Sequence, residues 1–296
     1  MNSLRHFIPS ASALLHLRFM FSFFLMPVFL FAISQAPQVI WTSTILTFII
    51  WHLLVYPASN GYNSYFDKDE GSIALLENPP PIDKSLYYFS ILMDLLAILL
   101  SIFVSWILLL AVLLYGLFSK LYSHPQVRLK KYPLISFLIV FIFQGACVYW
   151  SSYAAVSGLN NLNGWNLNFT LAGLICSCLI GASYPLTQVY QHIEDGKRGD
   201  KTLSIVLGIR GSFWFAAALF ALSALLLFIY WYRLEMMNNF WLFLPFVFPV
   251  FAVFVNWFIK VYHDPNQANF KNMSRMTLIS SFMMLIYFAI LNLFSH

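Results

Sequence analysis

Charge is what this sequence has least of. Asp, Glu, Lys and Arg together make up 9% of its 296 residues, while 60% are hydrophobic. Soluble domains carry about a quarter charged residues, so an ordinary soluble fold is excluded. Cysteine is also scarce. Cys147, Cys176 and Cys178 all lie in apolar runs, which leaves no framework for disulfides outside the membrane and reads as small packing residues. Segments of alternating polarity, the mark of a transmembrane β-barrel, are missing. No polar stretch exceeds about 30 residues, too few for an independent core, so no separate soluble domain is expected.

What is present is a series of apolar runs of about 20 residues, the length that crosses a bilayer as a helix. The chain therefore reads as an all-α, multi-pass integral membrane protein, a bundle of nine helices in a single domain over 1–296. The spans are expected at about 14–34, 38–58, 86–101, 104–118, 133–156, 168–187, 211–231, 240–260 and 275–294. The apolar run 86–118 is too long for one crossing and is split near Ser101–Ser105. Arg5 and Arg18 precede the first run with no small-residue cleavage site after it, which reads as an uncleaved span.

The net charge of +5 would suggest nucleic acid in a soluble protein. Here it reads instead as loop charge, and no nucleic-acid partner is expected. With nine spans and the N-terminus in the cytoplasm, every Lys and Arg except Arg233 falls on the cytoplasmic side. That pattern sets the N-terminus inside; the expected location is a bacterial inner membrane, with lipid around the protein.

Most of the acids gather in two polar islands on that same side. The first, 60–83, reads NGYNSYFDKDEGSIALLENPPPID; the second, 188–208, reads QVYQHIEDGKRGDKTLSIVLG. If span 2 continues as a helix, Asn63 and Asp67 share a face. Gln188, Gln191 and Asp195 have the same helical spacing, with Glu194 beside them. Opposed across a bundle, such faces would make a cluster of hard oxygen ligands suited to Mg²⁺. Nearby bases, among them Arg128, Lys130, Lys131, Lys197, Arg198 and Lys201, could hold the outer oxygens of a diphosphate. From spacing alone, a solvated charged loop accounts for each island equally well. Asp94, inside span 3, is a further acid to explain. His192 reads as facing water, His263 and Asp264 as a turn. Trp41, Trp165, Trp231 and Trp241 read as an interfacial belt.

Together the islands resemble the two signature motifs of the UbiA superfamily of intramembrane prenyltransferases. The first motif, N-D-x-x-D-x-x-x-D, is matched by Asn63 and Asp67, while Ser64 and Gly71 stand in for its other acids. The second is matched by Asp195, Gly199, Thr202, Leu203 and Gly208, with Gln191 in place of its first acid. Asn78 to Ile82 is similar to the family's proline-rich segment, and the stretch from Leu121 to Lys130 to its loop after the fourth helix. The resemblance implies Mg²⁺-dependent transfer of a prenyl chain from a polyprenyl diphosphate to a lipophilic, aromatic, quinone-precursor-like acceptor. By the same resemblance Asp67 and Asp195 are catalytic, and Asn63, Glu70, Gln191 and Glu194 help them hold the metal. Arg128, Lys130 and Lys201 would bind the diphosphate, and Tyr65, Tyr149 and Tyr153 would line the substrate pocket. Two rivals remain at this point. One is a transporter that couples cations through the carboxylates; the other is an inactive member of the same fold.

Overall fold

The computed structural model describes residues 8–68, 71–74, 76–161 and 165–295. Among these residues, nine helices are long and apolar enough to cross a membrane. They are span 1 (Ala11–Gln35), span 2 (Trp41–Asp67), span 3 (Lys84–Ile102), span 4 (Trp106–Ser123), span 5 (Pro133–Ser157), span 6 (Leu167–Leu186), span 7 (Leu203–Arg233), span 8 (Met237–His263) and span 9 (Phe270–Phe294). The expected count and order hold. The largest shift is in span 2, which runs on through the first island to Asp67 instead of stopping near residue 58. The turn between spans 3 and 4 lies where expected, with Ser105 capping span 4 by accepting from the Leu108 amide.

The chain falls into two compact units. The first is built on Ala36–Leu129, with the start of span 1 and the end of span 5. Its helix faces explain themselves. Leu95, Leu99 and Ile102 on span 3, and Leu110, Leu113 and Leu117 on span 4, are exposed at helical spacing, the pattern of a lipid-facing stripe. Inward lies a cluster of Ala13, Leu17, Ala58, Leu86 and Met93. Gly61 is needed where span 2 meets span 3, because any side chain there would collide with Ser90 and Leu86. Span 1 is broken at Arg18, whose backbone is left-handed (φ 48°). Its guanidinium turns back to the Asn60 carbonyl at 3.2 Å.

The second unit takes in Phe24–Gln35, Lys130–Trp150 and Leu162–His296. Its core packs Phe213, Ala216, Phe254, Trp257 and Val261 among spans 7 and 8. Spans 2 and 5 each contain a π-helical stretch, Ile49–Val55 and Phe141–Ala146. Trp41, Trp165 and Trp241 are exposed, as an interfacial belt requires. Trp231 departs from that expectation. It is buried, donating to the Tyr287 hydroxyl at 3.0 Å and packing edge-on against Phe31. Cys176 and Cys178 are buried and unbridged, in keeping with a packing role.

Candidate active site

In the first unit, the continuous helix does put Asn63 and Asp67 one turn apart. Asn63 donates from Nδ2 to the Ser123 hydroxyl at 3.0 Å, which fixes its amide against the end of span 4. Asp67 is the last residue of its helix, and Lys68 ends it with a left-handed backbone (φ 49°). A carboxylate at a helix C-terminus adds to the negative end of the dipole, so the place favours an incoming cation. Ser64, where the motif departs from its usual acid, is buried and accepts from Arg18 at 3.5 Å. Tyr65 stands in a ring cluster with Phe66 and Tyr87, each 5.2 Å away. Glu70, and Asp69 before it, lie outside the described residues.

Within the second unit the expected single helical face is not found. Span 6 ends at Leu186, the chain turns, and a separate short helix runs from His192 to Arg198. The ladder runs past Pro185, with the Thr187 amide still donating to the Ser183 carbonyl at 3.1 Å, and then tightens as the Gln188 amide donates to the Pro185 carbonyl at 3.1 Å. Gln188 is buried in the turn and accepts from the Ser204 amide at 3.3 Å. Gln191 is the N-cap of the short helix, and its carbonyl accepts from the Asp195 amide at 2.9 Å. Glu194 and Asp195 thus occupy the first helical turn, where the dipole favours acids. Glu194 also pairs with Arg198 at 2.5 Å. Gly199 ends the helix at φ 75°, a conformation in which only glycine avoids strain.

Two residues of this loop, His192 and Asp200, do more than the sequence suggested. His192 does not simply face water: it is half-buried, with Nε2 at 2.7 Å from the Ser204 hydroxyl. Ser204 Oγ is in turn 2.9 Å from Ser212 Oγ. Burial pushes the His192 imidazole below its usual range, because the charged form is desolvated. Asp200, in the same motif, is buried and faces the Lys130 ammonium at 3.6 Å. Lys130, expected to meet diphosphate, is therefore buried against a carboxylate. A G-D-K run after a charged helix is the only sequence signal that pointed there.

The remaining expected residues are dispersed. Lys201 is exposed, and Arg128 has a left-handed backbone (φ 48°) in the first unit. Tyr149 is fully buried in the second unit, 5.3 Å from Phe31. Tyr153 is half-buried in the first. The second unit also holds an apolar cavity of about 270 Å³, walled by Phe24, Val28, Leu179, Phe220, Val250 and Met284 among others.

No group of three or more His, Cys, Asp or Glu stands together as a metal cage among the described residues. The donors of the islands are nonetheless all oxygen: Asn63 and Asp67 in one unit, Gln191, Glu194 and Asp195 in the other. That chemistry fits Mg²⁺, which binds through one or two carboxylates and keeps its other positions for water and phosphate.

Comparison with known proteins places these features. The UbiA prenyltransferase family model matches residues 24–286. No curated protein matches the sequence. Among solved structures, one reporting on a digeranylgeranylglyceryl phosphate synthase superposes with a TM-score of 0.60 at 20% identity, over 100% of this chain and 99% of that one. A UbiA homologue from Archaeoglobus fulgidus, bound to GPP and Mg²⁺, superposes with a TM-score of 0.67 at 17% identity, over 95% and 99%. The same homologue bound to Cd²⁺ gives 0.65 at 16%.

Proposed function

This chain belongs to the UbiA prenyltransferase family and is an integral, multi-pass membrane enzyme; on that premise we propose that it transfers a prenyl chain from a prenyl diphosphate to a lipophilic aromatic acceptor. The observation that carries the reading is the pair of motif aspartates: Asp67 closes span 2 and Asp195 opens the short helix after span 6. A solved relative from Archaeoglobus fulgidus binds GPP with Mg²⁺ and another form of it binds DMAPP with Mg²⁺, which supports a diphosphate donor here. The whole of 1–296 serves as one catalytic domain, set in a bacterial inner membrane with the N-terminus in the cytoplasm.

In this reading Asp67, aided by Asn63 and Glu70, and Asp195, aided by Gln191 and Glu194, are the groups of each motif that would ligate Mg²⁺. When bound, the metal would supply positive charge to the diphosphate leaving group. The chain's own groups do the rest. Asn63, locked to Ser123, presents a fixed amide oxygen. Arg128, Lys130 and Lys201 bring cations to the departing diphosphate, and Lys130 exchanges Asp200 for phosphate oxygens. Ring faces such as those of Tyr65 and its neighbours stabilise the allylic cation. The acceptor ring carbon bonds to the allylic carbon as the C–O electron pair leaves with the diphosphate, and the displaced ring proton passes to water or to the departing diphosphate. An isoprenoid tail suits the apolar cavity of the second unit.

The test uses membranes containing the chain, a labelled prenyl diphosphate, and Mg²⁺ present or chelated. Asp67→Ala and Asp195→Ala should each reduce turnover by about 10²–10³-fold, the loss typical of a transition-state electrostatic group. Full turnover in both variants would sink the assignment.

A further inference from the structure

Asp94 lies in the middle of span 3, and its carboxylate is ion-paired with Lys120 of span 4. The two side chains are only 16% and 21% exposed. A buried ion pair adds little to stability over an apolar pair of the same size, and an acid within a span is costly. The pair therefore needs another reason, and its surroundings supply one. The Lys120 ammonium also lies 4.7 Å over the ring of Tyr62, the residue before Asn63. On either side of Lys120, span 4 grips span 2 one turn apart. Ser119 Oγ is 2.7 Å from Ser59 Oγ, and Ser123 Oγ takes the Asn63 hydrogen bond. Beyond them the ring of His124 packs on Phe66 at 5.3 Å. Span 3 is pressed against the same stretch of span 2 at Gly61.

We propose that Asp94 and Lys120 are positioning residues: their ion pair sets the axial register and rotation of span 2, and so the direction in which Asn63 and Asp67 point. Anchored by Asp94, the Lys120 stem cannot turn away, and its charge holds the Tyr62 face. The two serine contacts then hold the helix in only one register. Neither charge touches substrate; both act through Tyr62 and the Ser119–Ser123 face of span 4. The turnover arm of this inference rests on the functional reading above, whereas the register arm does not.

The test replaces the pair as a pair, Asp94→Leu with Lys120→Met. Single variants leave a lone charge and are the ones that unfold. Register is read by oxidative cross-linking of Ser59→Cys with Ser119→Cys, in a chain whose Cys147, Cys176 and Cys178 are alanine. With the ion pair intact, the cross-link forms readily. In the paired replacement, cross-linking should fall about tenfold, as for a register populated only about a tenth of the time. Turnover of prenyl diphosphate should fall about a hundredfold, the cost of a misplacement near 1 Å, with the melting temperature unchanged. Unchanged cross-linking in the paired replacement overturns the inference. If the native chain turns over no prenyl diphosphate, the functional reading fails alone, and cross-linking still decides this one.

Discussion

In the first polar island Asp67 ends a helix that began within span 2; in the second, Glu194 and Asp195 begin a new helix after span 6 has stopped at Leu186. The two islands share a motif logic but present their acids at opposite ends of a helix. Asp67 works against the dipole of its own helix. The acids of the second island lie with the dipole, and Glu194 is further quieted by Arg198. The exits differ as well. The first island closes its helix on Lys68 in a left-handed conformation, and the second uses Gly199. At the far boundary Asp83 caps span 3 by accepting from the Ser85 amide at 2.7 Å, while Thr202 precedes span 7 without a capping bond. The motif residues of the first island ride on the end of a continuous helix, and those of the second sit on a separate short helix after a turn.

That contrast can be broken at the second island first. Asp200→Leu takes a carboxylate away from the buried Lys130 ammonium and should destabilise the protein by about 1–3 kcal/mol. Adding Lys130→Met should recover most of the melting temperature but not the turnover. Thermal melting in detergent, alongside the turnover assay, checks both. Full stability of Asp200→Leu alone would show that side chains do not hold this loop.

The helix exits should respond with opposite signs. Gly199→Ala forces a Cβ into a left-handed site and should cost about 1–2 kcal/mol. Lys68→Gly relieves the same strain and should leave stability unchanged or raise it by up to about 1 kcal/mol. Equal effects on melting would mean that the two exits are equivalent.

Asp83 sharpens the far boundary. Its carboxyl lies below the usual range: partial burial pushes it up, but hydrogen bonds from Ser10 and Ser85 outweigh that. A depressed folded-state value means stability that is present above the unfolded value of 3.8 and lost as pH falls through the folded one. Asp83→Ala should therefore cost about 1 kcal/mol at neutral pH, the usual worth of an N-cap. The gap from native should close below about pH 4 in melting scans. Thr202→Ala should show no such pH dependence.

The smallest effect concerns the dipoles. Asp67→Asn should raise stability by about 0.5 kcal/mol while abolishing turnover, whereas Asp195→Asn should lower stability by a similar amount. Denaturant or thermal titration of both variants would show whether the acids really occupy opposite ends.

Much of this was legible from composition and spacing. Nine apolar runs fix nine helices because backbone groups in lipid must bond within their own segment. Asn63 and Asp67 were placed on one face because that helix is unbroken. The reading of 188–195 as one face failed because the chain turns between Leu186 and His192, a break that polar spacing alone does not record. Trp231 was misread because belt residues and buried rings have the same sequence signature, and only Tyr287 and Phe31 distinguish them. By itself, then, the sequence determined the membrane class, the helix count and the two islands with their motif aspartates, since hydrophobicity and local periodicity act along the chain. Tertiary structure alone decided that Asp94 meets Lys120, that Asp200 meets Lys130, and that His192 meets Ser204. Each partnership joins residues far apart or across a turn, and no periodicity in a single segment records which charge a buried side chain will find.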